Sequence, residues 1–84
     1  MQESIQLTIK EIIAEITEVD SREIKMGTHL IQDLGADSMS MNELIHIIEN
    51  EFQIDIPPEN LPEMVTLEKM TDLVTSILSL EGES

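Results

Sequence analysis

The side chains best placed to do chemistry lie a third of the way along the chain, in Leu34-Gly35-Ala36-Asp37-Ser38, just where an apolar 3.6-residue periodicity begins. A serine at that point meets free backbone N–H groups and the positive end of a helix dipole, a setting that favours a phosphate ester. Gly35 permits a tight turn ahead of it, Asp37 puts a carboxylate beside the hydroxyl, and Leu34 anchors the turn on the core side. The same residues also read as a plain helix start, with Asp37 or Ser38 as N-cap, or with a capping box from Ser40 to Glu43.

Nucleophilic catalysis by Ser38 would need a base and a group to orient that base. His46 lies on the same helical stretch, about 12 Å further along at 1.5 Å per residue, and cannot reach the hydroxyl. His29 has access from the preceding loop, but no third partner is evident and there is no Gly-x-Ser-x-Gly elbow. No catalytic residue is therefore expected, and Ser38 reads as a handle that another enzyme modifies. A metal centre is not expected either, because the two histidines lack ligand spacing and cysteine is absent. An EF-hand read from Asp33 fails, with Ser38 where glycine is needed and Leu44 where glutamate is needed.

The elements that must position the serine follow from apolar spacing. Ile5, Ile9, Ile12, Ile13 and Ile16 form one stripe and predict a first helix over 3–17. From 17 to 37 the periodicity fades, predicting a long ordered loop pinned by Val19, Ile24, Leu30, Ile31 and Leu34, with room for a short helical turn. Met41, Leu44, Ile45, Ile48 and Phe52 predict a second helix over 38–52, with Met39, Glu43, His46 and Asn50 on its outer side. Pro57 and Pro58 stop it from extending, and Pro62 restricts a short third helix to about 59–64. Thr66 is the expected N-cap of a last helix over 67–80, striped by Leu67, Met70, Leu73, Val74, Ile77 and Leu80, with Glu81 to Ser84 frayed. The expected fold class is all-α: a single domain over 1–84 with three longer helices, one short third helix and a long loop between the first two.

At 84 residues the chain can build one modest core, burying roughly 60–65% of its unfolded surface. Without cysteine, aliphatic packing must hold it. Eighteen acids against four bases give a net charge of −14, which repels nucleic acid and anionic lipid and attracts basic protein surfaces. Neither a signal peptide nor a membrane-length apolar run is visible, so a cytoplasmic monomer with no membrane insertion is expected.

The runs Asp33-Leu34-Gly35-Ala36-Asp37-Ser38-Met39, Glu43-Leu44 and Glu51-Phe52-Gln53-Ile54-Asp55-Ile56-Pro57 together resemble the bacterial acyl carrier proteins, and the likeness spans about Ile5 to Leu80. The resemblance implies an acyl-carrier-like four-helix bundle and a 4′-phosphopantetheine attached to Ser38 from coenzyme A by a separate phosphopantetheinyl transferase. Acyl groups would ride as thioesters on its thiol. It further implies an acyl pocket, for which Met41, Ile45, Ile56 and Met64 are the candidates, in an interior softened by six methionines and a single aromatic, Phe52. Asp37, Glu43 and Glu49 match acidic positions that meet basic docking patches on acyl-processing enzymes, and Met39 and His46 are candidate contacts beside them. Ser40 departs from the family pattern where an acid is usual, as do Asn42 and His46 where apolar residues are usual, Asn50 where glutamate is frequent, and Pro62 in the third helix.

The implied function is a carrier serving fatty-acid, specialised lipid or polyketide-type biosynthesis, the altered face favouring a specialised pathway. An aminoacyl or D-alanyl carrier is the nearer alternative, and an acidic helical interaction module without a prosthetic group the more distant one. Nine acids and no Lys or Arg lie between residues 26 and 68. Self-repulsion there predicts that added salt or divalent cations raise the melting temperature of the unmodified protein. A melting temperature indifferent to both in a calorimetric salt series contradicts this.

Overall fold

The isoleucine seam becomes the buried face of the first helix, α1 (Gln2–Thr17), with Ile9 and Ile13 fully buried and Ile5, Ile12 and Ile16 packed at the edge of the core. The computed structural model describes residues 2–82. Five β-branched residues on one stripe hold a helix through packing rather than propensity, and α1 packs against both other long helices, α2 (Ser38–Phe52) and α3 (Leu67–Gly82). Its C-terminus closes on Glu18 in the left-handed region at φ 59°, with the Val19 N–H reaching back to the Ala14 carbonyl at 3.2 Å.

The loop between α1 and α2 is ordered by local caps and two bonds across the fold. Asp20 caps a 3-10 turn at Ser21–Glu23 and pairs with Arg22 at 2.8 Å, the one ion pair among the described residues. The Met26 carbonyl accepts the Glu68 N–H at 3.0 Å, and the Leu30 N–H donates to the Val65 carbonyl at 2.8 Å. These bonds hold the loop against the start of α3, with Ile24 and Leu30 fully buried. Ile31, expected to pin the loop as well, is instead 46% exposed. Leu30 takes the inward position, and adjacent residues of a helical turn cannot share one face.

The expected short third helix is a 3-10 segment, Pro58–Glu63, starting one residue earlier than the spacing suggested. Proline at 58 suits a first helical position, while Pro62 has no N–H to give and prevents an α-helical ladder. The winding is accordingly tight, with Asn60 N–H to Pro57 O at 3.0 Å and Met64 N–H to Leu61 O at 3.1 Å. Thr66 caps α3 as expected, its hydroxyl accepting the Lys69 N–H at 3.2 Å.

Along α3, Leu67, Met70 and Val74 are fully buried, whereas Leu80 is 73% exposed and does not belong to the core stripe. Thirteen residues past Leu67, it has rotated by about 220° within its turn and points away from the face that α1 covers. Glu81 and Gly82 continue α3, against the expected fraying, and Glu83 and Ser84 lie outside the described residues. The bundle therefore has three long helices and the short Pro58–Glu63 segment, with the 3-10 turn at Ser21–Glu23 in the first loop and without a strand among the described residues. An isolated antiparallel bridge between His29 and Thr66 is the sole β-type pairing found there.

One polar group in α3 is out of place. Thr71 satisfies its buried hydroxyl on the Leu67 carbonyl at 2.8 Å, but the buried Thr75 Oγ1 has no partner. Replacing that hydroxyl by an isosteric methyl removes an unmet desolvation penalty. Thr75→Val should stabilise the fold by about 1 kcal/mol in urea unfolding; an equal loss would show that the hydroxyl is satisfied in solution.

Candidate functional site

Asp37 sits in extended backbone and caps α2: its carboxylate accepts the Ser40 N–H at 2.8 Å, and its carbonyl accepts the Met41 N–H at 2.9 Å. Of the alternatives left open by the sequence, Asp37 is the cap. The Ser40 amide is thereby taken, and a capping box from Ser40 to Glu43 does not form. Ser38 becomes the first residue of α2, exposed, with its hydroxyl in no hydrogen bond within the described chain. The amides of Ser38 and Met39 have no carbonyl of the preceding turn to bond, so donors and the positive helix end lie at the hydroxyl.

The turn that delivers Asp37 is equally local. The Asp33 carboxylate accepts the His29 N–H at 2.8 Å, and His29 Nδ1 accepts the Gln32 N–H at 3.0 Å. The turn ends on Gly35 at φ 74°, a left-handed conformation that a residue with a Cβ adopts only at a cost. Its last bond, Ala36 N–H to Leu30 O at 3.0 Å, folds the chain back toward α2. His29 is therefore engaged as a turn cap, and His46 is exposed further along α2. Neither is arranged as a base for Ser38, and no group of three metal-ligating side chains occurs among the described residues.

Ser38 lies on the rim of an open groove of about 310 Å³, walled by Ile31, Met41, Leu61, Pro62 and Val65, with Asn42 contributing an amide. Of the four pocket candidates, Met41 lines this groove. Ile45 and Ile56 are core residues, and Met64 borders a separate cleft of about 250 Å³ between the 3-10 segment and α3. The structure thus does not bring the four together around one open cavity. Ile31, Leu61 and Val65 were missed as groove walls, because they come from three irregular segments whose meeting no periodicity reveals.

Among the docking candidates, Met39 is 79% exposed, and Asp37, Glu43 and His46 are also exposed. Glu49 differs: it is half-buried and its Oε2 accepts the Ile56 N–H at 2.7 Å. Ile47, not singled out by the sequence, adds apolar surface on the outer side of α2.

A three-helix frame presenting an unbonded serine at a helix N-terminus, beside an apolar groove, defines a carrier domain. Residues 8–74 match the family described as Phosphopantetheine attachment site. The chain is 30% identical over 69 residues to an acyl carrier protein of Campylobacter jejuni subsp. doylei, covering 82% of this chain and 90% of that protein. A candidate acyl carrier protein from Mycobacterium tuberculosis superposes with a TM-score of 0.80 at 29% identity, covering 86% of this chain and 96% of that one. The thermally stable acyl carrier protein from Enterococcus faecalis has the same fold, with a TM-score of 0.80 at 23% identity over 92% of this chain and 98% of that one. The chain belongs to the acyl carrier protein family, whose prosthetic group is a covalently attached 4′-phosphopantetheine. The residues at the start of α2 fit that group: a free hydroxyl, two amides for a phosphate and an apolar groove for an arm.

The Ser40 amide, and then its hydroxyl, hold the Asp37 carboxyl below its usual value of 3.8. A carboxyl depressed on folding contributes stability above its unfolded pKa and loses it as the pH falls through that value toward the lower folded one. Wild type should therefore melt above Asp37→Asn near neutral pH, with the gap closing as the pH falls below 3.8. A gap independent of pH contradicts the assignment.

Proposed function

We propose that Ser38 is the attachment point, and that the protein carries acyl groups between enzymes without catalysing their reactions. The observation that carries this reading is the unbonded Ser38 hydroxyl at the first position of α2, left free because Asp37 performs the capping. Coenzyme A would be the donor: Ser38 Oγ bonds to the phosphate, and adenosine 3′,5′-bisphosphate leaves. The arm's terminal thiol supplies the thioester chemistry. Ile31, Met41, Leu61 and Val65 give an apolar path from the serine, and Ile45, Ile56 and Met64 lie deeper in the core, where a chain entering the bundle would part them.

Docking would use Asp37, Met39, Glu43 and His46 on the exposed side of α2. Exposed charges give fast, salt-sensitive encounters with basic patches on a phosphopantetheinyl transferase and on acyl-processing enzymes. We place the protein in the cytoplasm as a monomer; no helix among the described residues is long and apolar enough to cross a membrane. We assign it to a specialised lipid or polyketide-type pathway rather than primary fatty-acid synthesis. Ser40, Asn42, His46 and Asn50 support this by making the outer face of α2 less acidic and more polar than the family pattern.

Incubation with coenzyme A and a broad-specificity transferase should add one phosphopantetheine to the intact mass of wild type and none to Ser38→Ala. Unmodified wild type would instead favour an acidic interaction module without a prosthetic group. Equal modification of the variant would remove Ser38 from the role.

A further inference from the structure

The exit of α2 is organised by a single residue. The backbone carbonyl of Glu49 accepts the N–H of Gln53, which is in the left-handed region, and that of Ile54 at 3.0 Å. Its side chain reaches over the same turn to accept the Ile56 N–H at 2.7 Å. Ile54 and Ile56 are 5% and 6% exposed, and no backbone carbonyl is paired with the Ile56 amide. A donor on so deeply buried a residue needs an acceptor, and Pro57 and Pro58, with no N–H of their own, cannot continue a ladder that would anchor this segment. Glu49 thus ties the last turn of α2 to the extended run that leads into the 3-10 segment. That segment carries Leu61 and Pro62 of the serine-side groove, and Ile56 packs in the core with Ile45 and Met64.

We propose that Glu49 is a positioning residue of the carrier and not a docking charge. Its carboxylate holds Ile56 inward and sets how far the 3-10 segment stands from α2, which is the gap an acyl chain must enter. The inference deepens the carrier reading and rests on it for the acyl chain alone. Glu43 is the contrasting case, exposed and free of any hydrogen bond within the described chain. Glu49 is half-buried as well as bound to an amide at 2.7 Å, whereas Asp37, bound to the Ser40 amide at 2.8 Å, stays exposed to a partner.

Two substitutions separate bond from charge. Glu49→Gln keeps an acceptor oxygen at full reach and removes the charge, whereas Glu49→Asp keeps the charge and is one methylene too short to span to Ile56. The first readout is amide hydrogen exchange at Ile56 in the unloaded protein. The second is the change in Ile45 and Ile56 amide shifts when an octanoyl thioester replaces the free thiol. Glu49→Gln should exchange at Ile56 within about threefold of wild type and keep the octanoyl-induced shifts. Glu49→Asp should exchange about tenfold faster or more and lose much of the shift, as for a buried bond broken on one side. Unchanged exchange in Glu49→Asp, or exchange in Glu49→Gln as fast as in Glu49→Asp, overturns the proposal. Because exchange is read without an arm, failure of Ser38 to load is a separate result and leaves this one standing.

Discussion

The hydrogen bond from the Ser40 amide to the Asp37 carboxylate fixes where α2 begins, and the freedom of the Ser38 hydroxyl depends on that starting point. A cap one residue later would use Ser38 itself, placing its hydroxyl over the helix amides. With Asp37 in that role, the serine enters the helix as its first residue and keeps its hydroxyl free beside the helix N-terminus. The turn before it is built to deliver this register. The Asp33 carboxylate caps the His29 N–H, His29 Nδ1 caps the Gln32 N–H, Gly35 supplies the left-handed step, and the Leu30 N–H is held on the Val65 carbonyl.

Behind the serine, a small aliphatic core meets a large unbalanced charge. The interior is built from isoleucine, leucine, methionine and valine, while a net charge of −14 is relieved by one ion pair among the described residues. The charge opposes compaction and at the same time raises the rate of encounter with basic partners. Under the proposed carrier function, both properties would serve the entry of a cargo and quick release from each partner. Local ties such as Thr66 on α3 and Glu49 on Ile56 keep the weakly held segments in register.

Much of this was legible in the residues. The bounds of α2 follow from the apolar stripe that runs from Met41 to Phe52 behind Ser38, and the structure returns the same limits. Thr66 was readable as a cap because a hydroxyl precedes a clean stripe. Three features were not readable, each for a physical reason. Leu80 fits a stripe by type but rotates off the core face over thirteen residues. Ile31 and Leu30 are equivalent by composition, and the bond from Leu30 to Val65 decides between them. Glu49 looks like any exposed helix acid until the chain turns back and brings a buried amide within reach. The groove at Ser38 belongs to the same class, since Ile31, Leu61 and Val65 meet through tertiary structure alone.

Peptide-level mass spectrometry on the protein as its own cell makes it tests the central claim most directly. Between Lys25 and Lys69 the chain has no Lys or Arg, so a single tryptic peptide contains both Ser38 and Ser40. Fragmentation of that peptide should place one phosphopantetheine on Ser38 and leave Ser40 unmodified. The group on Ser40, or a peptide that never carries it, would contradict the account.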